Sequence, residues 1–183
     1  MLLIIELKCA PWLLKENGRA NLKIDKKKFI YLISPNKISN TFYRDLRLVL
    51  QTGKVSFFQL RLKNYSYKSK IIVGKKIKNI CKIYNVKFII NDDPLLSLKL
   101  NADGCHLGQK DMSIKLTKKI IGNKIIGITC HNSLNLVKKA VKDKVSYIAL
   151  GAFFKSKTKK TKYVASVKII NKVKKFSKSP IVA

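Results

Sequence analysis

The stretch at residues 88–112, FIINDDPLLSLKLNADGCHLGQKDM, constrains the fold of this chain more than any other segment. Two short apolar runs, at 87–90 and 105–107, end in polar groups, and an amphipathic helical span and a turn lie between them. This order predicts a strand, a helix and a second strand. Asp92 follows the first strand and Asp111 follows the second, and ligands of α/β folds bind at the carboxyl ends of strands.

Two carboxylates at neighbouring strand ends indicate a site for a hard cation. Mg²⁺ is usually held by one or two carboxylates together with substrate phosphates, so Asp92 and Asp111 are the predicted metal ligands and Mg²⁺ the predicted cofactor. Shared coordination requires the two carboxylates to lie within about 6–8 Å of each other. The alternative is that both aspartates cap the helices that follow them.

The chain from residue 29 onward repeats this alternation of apolar runs and amphipathic helical spans. Uniformly apolar strands between amphipathic helices predict a parallel sheet covered on both faces. A doubly wound open sheet and a (β/α)₈ TIM barrel both fit, but the even spacing and the polar residues after successive strands favour the barrel. The seven predicted strands are residues 29–34, 55–60, 87–90, 105–107, 124–129, 147–153 and 180–183.

The formal net charge of +31 raises the possibility of a nucleic-acid partner. However, only four of the forty basic residues are arginine, the residue that suits bidentate phosphate and base recognition, and the lysines are scattered along polar helix faces. A general preference for lysine explains this pattern better, and no specific nucleic-acid partner is expected. A non-catalytic basic protein that binds polyanions remains an alternative function.

Cysteine usage and the N-terminus point to a cytoplasmic protein. The four cysteines show no metal-ligand spacing, and Cys105 and Cys130 lie inside apolar runs, as buried thiols do in a reducing compartment. The apolar start at residues 1–7 is too short for a signal sequence or a membrane span. We therefore expect no membrane association. Residues 1–28 are predicted to be a basic lead-in of uncertain structure, and residues 29–183 the barrel domain.

Polar side chains follow the other predicted strands as well. Gln59, Arg61 and Lys63 alternate after the second strand, so that two cations and an amide point the same way. Cations, carboxylates and hydroxyls that converge on one rim describe a Mg²⁺–diphosphate site. The candidates after the later strands are Asn91, Asp92, Asp111, Thr129, His131, Ser156, Thr158 and Lys159.

Four motifs carry a family resemblance over nearly the whole chain from about residue 29. INDDPLLSLKLNADGCHLGQKDM resembles the IND…GADGVHLGQEDM signature of thiamine phosphate synthases. FFQLRLKN resembles the VQLREK of that family, GITCHN its GVSTH, and ALGAFFKSKTKKT its GLGPIFPTPTKKD. The resemblance implies a (β/α)₈ barrel enzyme of thiamine biosynthesis. Such an enzyme joins two small molecules, hydroxymethylpyrimidine diphosphate and thiazole phosphate, and releases diphosphate with the help of Mg²⁺.

The resemblance also implies a role for each matching residue. Asp92 and Asp111 would ligate Mg²⁺, and Arg61, Lys63 and Lys159 would act in catalysis by offsetting charge on the leaving diphosphate. No general base is needed, because the thiazole nitrogen attacks through its lone pair, and His106 and His131 are expected to be packed or hydrogen-bonded rim residues. The implied substrate-binding residues are Gln59, Arg61, Lys63, Asn91, Thr129, Ser156, Lys157, Thr158 and Lys159.

The chain departs from the family pattern in three places. Lys155 and Lys157 replace residues that are commonly proline and uncharged or acidic. Asp93 stands where the family usually has arginine, and the chain stops at PIVA, where the family continues into a glycine-rich phosphate loop, a last strand and a helix. We therefore expect a barrel with strands one to seven but without strand eight. Two unpaired edges would leave it open, prone to homo-oligomeric association and weak in activity. The alternative enzyme is a relative of the thiazole tautomerases. Such a relative would be expected to lack a complete diphosphate site, and the presence of Arg61, Lys63 and Lys159 argues against it.

Overall fold

The computed structural model describes the backbone of residues 3–8 and 28–29 and the whole of residues 30–154 and 164–183. In this part of the chain, strands and helices alternate. The strands are β1 Leu3–Lys8, β2 Lys28–Ile33, β3 Val55–Leu60, β4 Lys87–Asn91, β5 Gly104–Leu107, β6 Ile125–His131, β7 Tyr147–Leu150 and β8 Ile181–Val182. The helices are α1 Phe42–Gln51, α2 Tyr67–Ile83, α3 Pro94–Lys99, α4 Ile114–Ile121, α5 Leu134–Lys142 and α6 Val167–Lys174.

Short polar side chains set where the helices begin. Ser66 caps α2 by accepting a hydrogen bond from the backbone N–H of Ser69 at 3.1 Å, and Ser113 and Ser133 cap α4 and α5 in the same way. Asp93 caps α3, where Pro94 occupies the first turn with a backbone that needs no N–H. Each cap ends the loop that follows a strand, so these loops are held at both ends.

Strands β2 to β8 are parallel to their neighbours and occur in sequence order around the sheet. This confirms the predicted barrel of seven parallel strands with alternating helices. The carboxyl ends of these strands all lie at one rim, which brings together loops that are far apart in sequence.

The gap between β2 and β8 is closed by β1. Its six residues pair antiparallel with β2, from Leu3 opposite Ile33 to Lys8 opposite Lys28, and two of them also pair antiparallel with β8. The barrel is therefore closed, and the expected pair of open edges is wrong. An N-terminal segment supplies the backbone donors and acceptors that an eighth parallel strand would otherwise provide.

The barrel interior is filled by side chains from the inner faces of the strands. Tyr31, Phe57, Ile89, Tyr147 and Val182 form this inner cluster, and each is at most 4% exposed. Two further clusters of aliphatic and aromatic residues pack between the sheet and the helices. The closed barrel therefore keeps these interior side chains out of water.

Glycine 127 is required by this interior packing. A Cβ built at Gly127 would lie 1.9 Å from the ring of Tyr147, closer than any side-chain atom can approach. The backbone of β6 thus makes room for the tyrosine of β7 inside the barrel. No helix in the described ranges combines the length and the apolar character needed to cross a bilayer.

Candidate active site

Asp92 and Asp111 meet at the rim, because β4 and β5 are adjacent strands. The backbone N–H of Asp92 donates to the carbonyl of His106 at 2.7 Å, which ties the first residue after β4 to the neighbouring strand. Asp92 has a φ of 64°, an uncommon conformation that aspartate tolerates better than most residues. Asp111 accepts a hydrogen bond from the backbone N–H of Gly108 at 2.6 Å, which fixes its loop.

The two carboxyl groups lie close enough to hydrogen-bond to each other when Asp92 is protonated. The pKa of Asp92 is raised to about 6, first by burial and then by the hydrogen bond to Asp111 and its negative charge. The positive charge of Lys63 and a hydrogen bond from Asn91 oppose this rise. The predicted proximity of the two carboxylates is therefore met.

The helix-capping alternative does not describe these two residues. The cap of α3 is Asp93, which accepts from the backbone N–H of Leu96 at 2.9 Å, and the cap of α4 is Ser113. Asp92 and Asp111 are thus available to a ligand. Their hard oxygens fit Mg²⁺, which needs few protein ligands when phosphate and water complete its shell. No set of three or more His, Cys, Asp or Glu side chains in the described residues could hold a metal by itself.

Arg61 and Lys63 stand on the same rim, while Leu62 between them is buried in the outer core. The alternation predicted for Gln59, Arg61 and Lys63 is therefore present. The backbone N–H of Arg61 donates to the hydroxyl of Ser34 at 2.8 Å, and its guanidinium donates to Asn36 at 3.1 Å. Both contacts join the end of β3 to the loop after β2.

Gln59 and Thr129 lie deeper, at the floor of the site. Gln59 is 3% exposed, accepts from the hydroxyl of Tyr31 at 3.0 Å and donates its amide to Asn91. The Thr129 hydroxyl lies 2.9 Å from Nε2 of His106. Burial lowers the pKa of His106 to about 4 although the charge of Asp111 opposes this, so the imidazole is neutral near pH 7.

A cavity of about 560 Å³ opens beside the carboxylate pair. Lys63, Asp92 and Asp111 line it, together with two lysines that the sequence did not single out, Lys70 and Lys110. Asn91, Asp93 and apolar side chains of the strand ends and of α3 form the rest of its wall. The cavity is large enough for a small phosphorylated ligand.

Among the remaining predicted residues, the structure describes His131 but not four others. His131 ends β6 with a φ of 51°, and its carbonyl accepts from the backbone N–H of Gly151 at 3.2 Å. The residues assigned to the thiazole-phosphate loop and the third cation, Ser156, Lys157, Thr158 and Lys159, lie outside the described residues.

Sequence reasoning missed the polar residues that lie under the rim. Ser34, Asn36, Tyr31 and Tyr147 all hydrogen-bond to candidate site residues or to one another. A signal existed for the tyrosines, because a hydroxyl within an apolar strand needs a buried partner. It did not say which partner each hydroxyl would find.

A family model described as thiamine monophosphate synthase matches residues 30–183. The chain belongs to the thiamine monophosphate synthase family. The match spans the strands that carry Gln59, Asp92 and Asp111, so the family assignment covers the rim just described. The resemblance expressed by the four sequence motifs is thereby confirmed.

Individual members of the thiamine monophosphate synthase family support the assignment. The thiamine-phosphate synthase of Pelagibacter ubique is 61% identical over 158 residues, which are 86% of this chain and 76% of that relative. The enzyme of Clostridium tetani is 37% identical over 158 residues, covering 84% of this chain and 74% of the relative. A solved thiamine phosphate pyrophosphorylase from Pyrococcus furiosus superposes with a TM-score of 0.68 at 27% identity, covering 76% of this chain and 66% of that one.

Proposed function

We propose that this chain is a thiamine-phosphate synthase, which joins hydroxymethylpyrimidine diphosphate to thiazole phosphate and releases diphosphate. The observation that carries the proposal is the close pair of carboxyl groups Asp92 and Asp111 with Lys63 beside it, at the rim of a barrel of this family. Two acids and a cation at one point suit a ligand that brings both negative charge and a divalent cation.

The reaction breaks the bond between the pyrimidine methylene carbon and the diphosphate oxygen, and it forms a bond from that carbon to the thiazole nitrogen. Negative charge grows on the leaving diphosphate, and Arg61 and Lys63 stabilise it from one side of the rim. Lys159 is proposed to do so from another, with Ser156, Lys157 and Thr158 binding the thiazole phosphate. The nitrogen supplies its lone pair, so no side chain has to remove a proton.

Buried and half-buried groups position the pyrimidine diphosphate in this proposal. Gln59 and Asn91 are held by their mutual hydrogen bond at the floor, and Thr129 is proposed to contact the diphosphate. Asp92 and Asp111 would hold Mg²⁺, which when bound neutralises the diphosphate and improves it as a leaving group. Burial raises the pKa of Asp92 most and the neighbouring Asp111 raises it further, so a cation bound to both carboxylates would offset a charge that the site itself disfavours.

Two other functions have less support. For a polyanion-binding protein the charge should gather in a patch, but lysines occur on every helix from α2 to α6 and arginines on α1. A tautomerase-like relative would not need a cation beside the metal-binding acids, whereas Lys63 lowers the pKa of Asp92 from that position. A cytoplasmic location is part of the proposal, and the free, buried thiols of Cys81, Cys105 and Cys130 agree with it.

The test is a discontinuous assay that measures thiamine phosphate formed from the two substrates, with Mg²⁺ or with excess chelator. We expect product only with Mg²⁺, and a loss of at least about 10²-fold in an Asp92→Asn, Asp111→Asn double variant. An Asp143→Asn variant, which removes a carboxylate at the far end of α5, is the matched control and should retain activity. Product formation that is indifferent to both chelator and the double variant would contradict the metal role. Absence of product from the wild type under all conditions would contradict the proposed reaction.

A further inference from the structure

An unbroken row of hydrogen bonds runs around the barrel interior and links two residues of the rim, Thr129 on β6 and Asn91 on β4. The hydroxyl of Tyr147 lies 2.8 Å from Nδ1 of His106 and 2.7 Å from the hydroxyl of Tyr31. These three side chains join two groups that belong to strands on either side of β5. The complete row is Thr129, His106, Tyr147, Tyr31, Gln59 and Asn91, with one residue from each of the strands β6, β5, β7, β2, β3 and β4.

The number of protons sets the direction of this row. Tyr31 gives its single proton to Oε1 of Gln59, so its oxygen can only accept from Tyr147. Tyr147 has then used its own proton, and Nδ1 of His106 must donate to it. In a neutral imidazole the other nitrogen is an acceptor. Nε2 therefore accepts from the hydroxyl of Thr129, whose proton points into the barrel.

This direction has a consequence for the ligand. A Thr129 hydroxyl that donates to His106 cannot also donate to an anion, because it has only one proton. It offers the site only lone pairs, which repel a diphosphate oxygen. At the other end of the row, Asn91 accepts from Gln59 and donates its amide to Asp92. As it stands, the row opposes an anion at Thr129.

The opposite direction satisfies the same groups. Thr129 donates to the anion, Nε2–H of His106 donates to Thr129, Tyr147 donates to Nδ1, and Tyr31 donates to Tyr147. The amides of Gln59 and Asn91 turn over, so that Gln59 donates to Tyr31 and Asn91 donates to Gln59. The oxygen of Asn91 then faces the carboxylate of Asp92, and a cation held between these two acceptors satisfies both. The number of protons is unchanged: the hydroxyls of Thr129, Tyr147 and Tyr31 rotate, and the imidazole proton leaves Nδ1 and is replaced on Nε2 by exchange with water. Mixed directions leave a buried group without a partner, which is unfavourable.

We propose that Tyr31, Tyr147 and His106 form a two-state relay of positioning residues that couples the Thr129 hydroxyl to the amide of Asn91. Diphosphate binding at Thr129 selects the reversed direction, and the turn of Asn91 then changes the group that it presents to Asp92. The relay lets one end of the diphosphate site respond to occupation of the other without movement of the backbone. It rests on the proposed contact between Thr129 and diphosphate.

The imidazole tautomer reports the direction of the row. The chain has two histidines, so ¹⁵N spectra of labelled protein are simple, and a His131→Gln variant assigns them. We expect the proton of His106 on Nδ1 in the free protein, and on Nε2 after saturation with Mg²⁺ and inorganic diphosphate. A proton on Nε2 in the free protein, or an unchanged tautomer when calorimetry shows that diphosphate is bound, would overturn the relay.

Variants separate the relay from the proposed function. Tyr147→Phe keeps the ring but removes the hydroxyl that, among the described residues, is hydrogen-bonded to Nδ1. His106 should therefore lose its Nδ1–H preference in the free protein, whether or not the protein turns over substrate. If calorimetry detects no diphosphate binding, the assignment of the site fails, and this free-state comparison still decides the relay. A tautomer in Tyr147→Phe identical to that of the wild type would refute it.

Activity supplies a second readout. Tyr31→Phe and Tyr147→Phe should each raise the KM for the pyrimidine diphosphate about tenfold, and the double variant should be no worse than either single one, because one break already uncouples the row. If the two single-variant increases in KM multiply in the double variant, the two hydroxyls act independently in packing, and this result would contradict the relay. Tyr43→Phe, which removes a tyrosine hydroxyl from α1 outside the barrel interior, is the control and should match the wild type.

Discussion

The carboxyl group of Asp92 lies within hydrogen-bonding reach of that of Asp111, although the two residues belong to loops that follow different strands. The pairing arises because β4 and β5 are neighbours and because the Asp92 backbone is held against His106. Asp92 is consequently half protonated near pH 6, so the charge of the pair responds to pH and to bound cations.

Replacement of Asp92 by Asn should stabilise the metal-free protein at pH 7. The folded pKa of about 6 lies above the ordinary value of 3.8, so the ionised carboxyl costs stability above pH 6 and costs none below pH 3.8. After a discount for solvent screening, we expect a gain of about 1 kcal/mol in the free energy of unfolding. Urea unfolding with chelator at pH 7 and pH 4 measures it. The gain should vanish at pH 4, and a gain that persists there would show that the charge is not its cause.

His106 should contribute to stability in the opposite sense. Its folded pKa of about 4 lies below the ordinary value of 6.5, so the neutral imidazole stabilises the fold above pH 6.5, and this contribution is lost as the pH falls towards 4. The loss amounts to at most about 3 kcal/mol. Because Asp92 acts oppositely in the same pH range, the comparison is between Asp92→Asn and the same variant with His106→Gln. The free energy of unfolding of the double variant should fall less as the pH is lowered. If this free energy depends equally on pH in both variants, the lowered pKa of His106 is contradicted.

Removal of the Arg61 side chain should weaken stabilisation of the leaving group. We expect Arg61→Ala to lower kcat/KM by about 10²-fold, since one preorganised donor to developing negative charge is lost. The contacts of its backbone with Ser34 remain, so the fold should be unaffected. Steady-state assays and thermal unfolding measure the two quantities. Arg47→Ala removes an exposed arginine from α1 and is the charge-matched control, so equal losses in both variants would point to net charge instead of the site.

Deletion of residues 1–8 should open the barrel. The change removes the strand that pairs with both β2 and β8, and two edges with free backbone donors and acceptors remain. We expect lower stability and concentration-dependent association, measured by urea unfolding and by size-exclusion chromatography with light scattering. A variant that lacks only residues 1–2 is the control, because β1 begins at Leu3. A deletion variant that stays monomeric and equally stable would show that β1 is dispensable for closure.

Most of the barrel and of its rim was predictable from local pattern. Each strand from β2 to β8 is a short apolar run next to a capped amphipathic helix, and both properties depend on residues close in sequence. Because parallel strands align their carboxyl ends, Gln59, Arg61, Asn91, Asp92 and Asp111 could be assigned to one rim before any contact was known. The motif at residues 88–112 further specified the family.

Only the tertiary structure decided how the barrel closes and which polar groups of its interior hydrogen-bond to one another. The segment at residues 3–8 carries no signal for an antiparallel strand, because its partners are β2 and β8 and the gap between them exists only after the other strands have assembled. In the same way, Tyr31, His106 and Tyr147 look like ordinary strand residues in the sequence. They come into contact because closure of the barrel directs the inner face of each strand towards a common axis. Gly127 leaves room there for the ring of Tyr147. The buried hydroxyl and imidazole groups then hydrogen-bond to one another, because a buried polar group needs a partner.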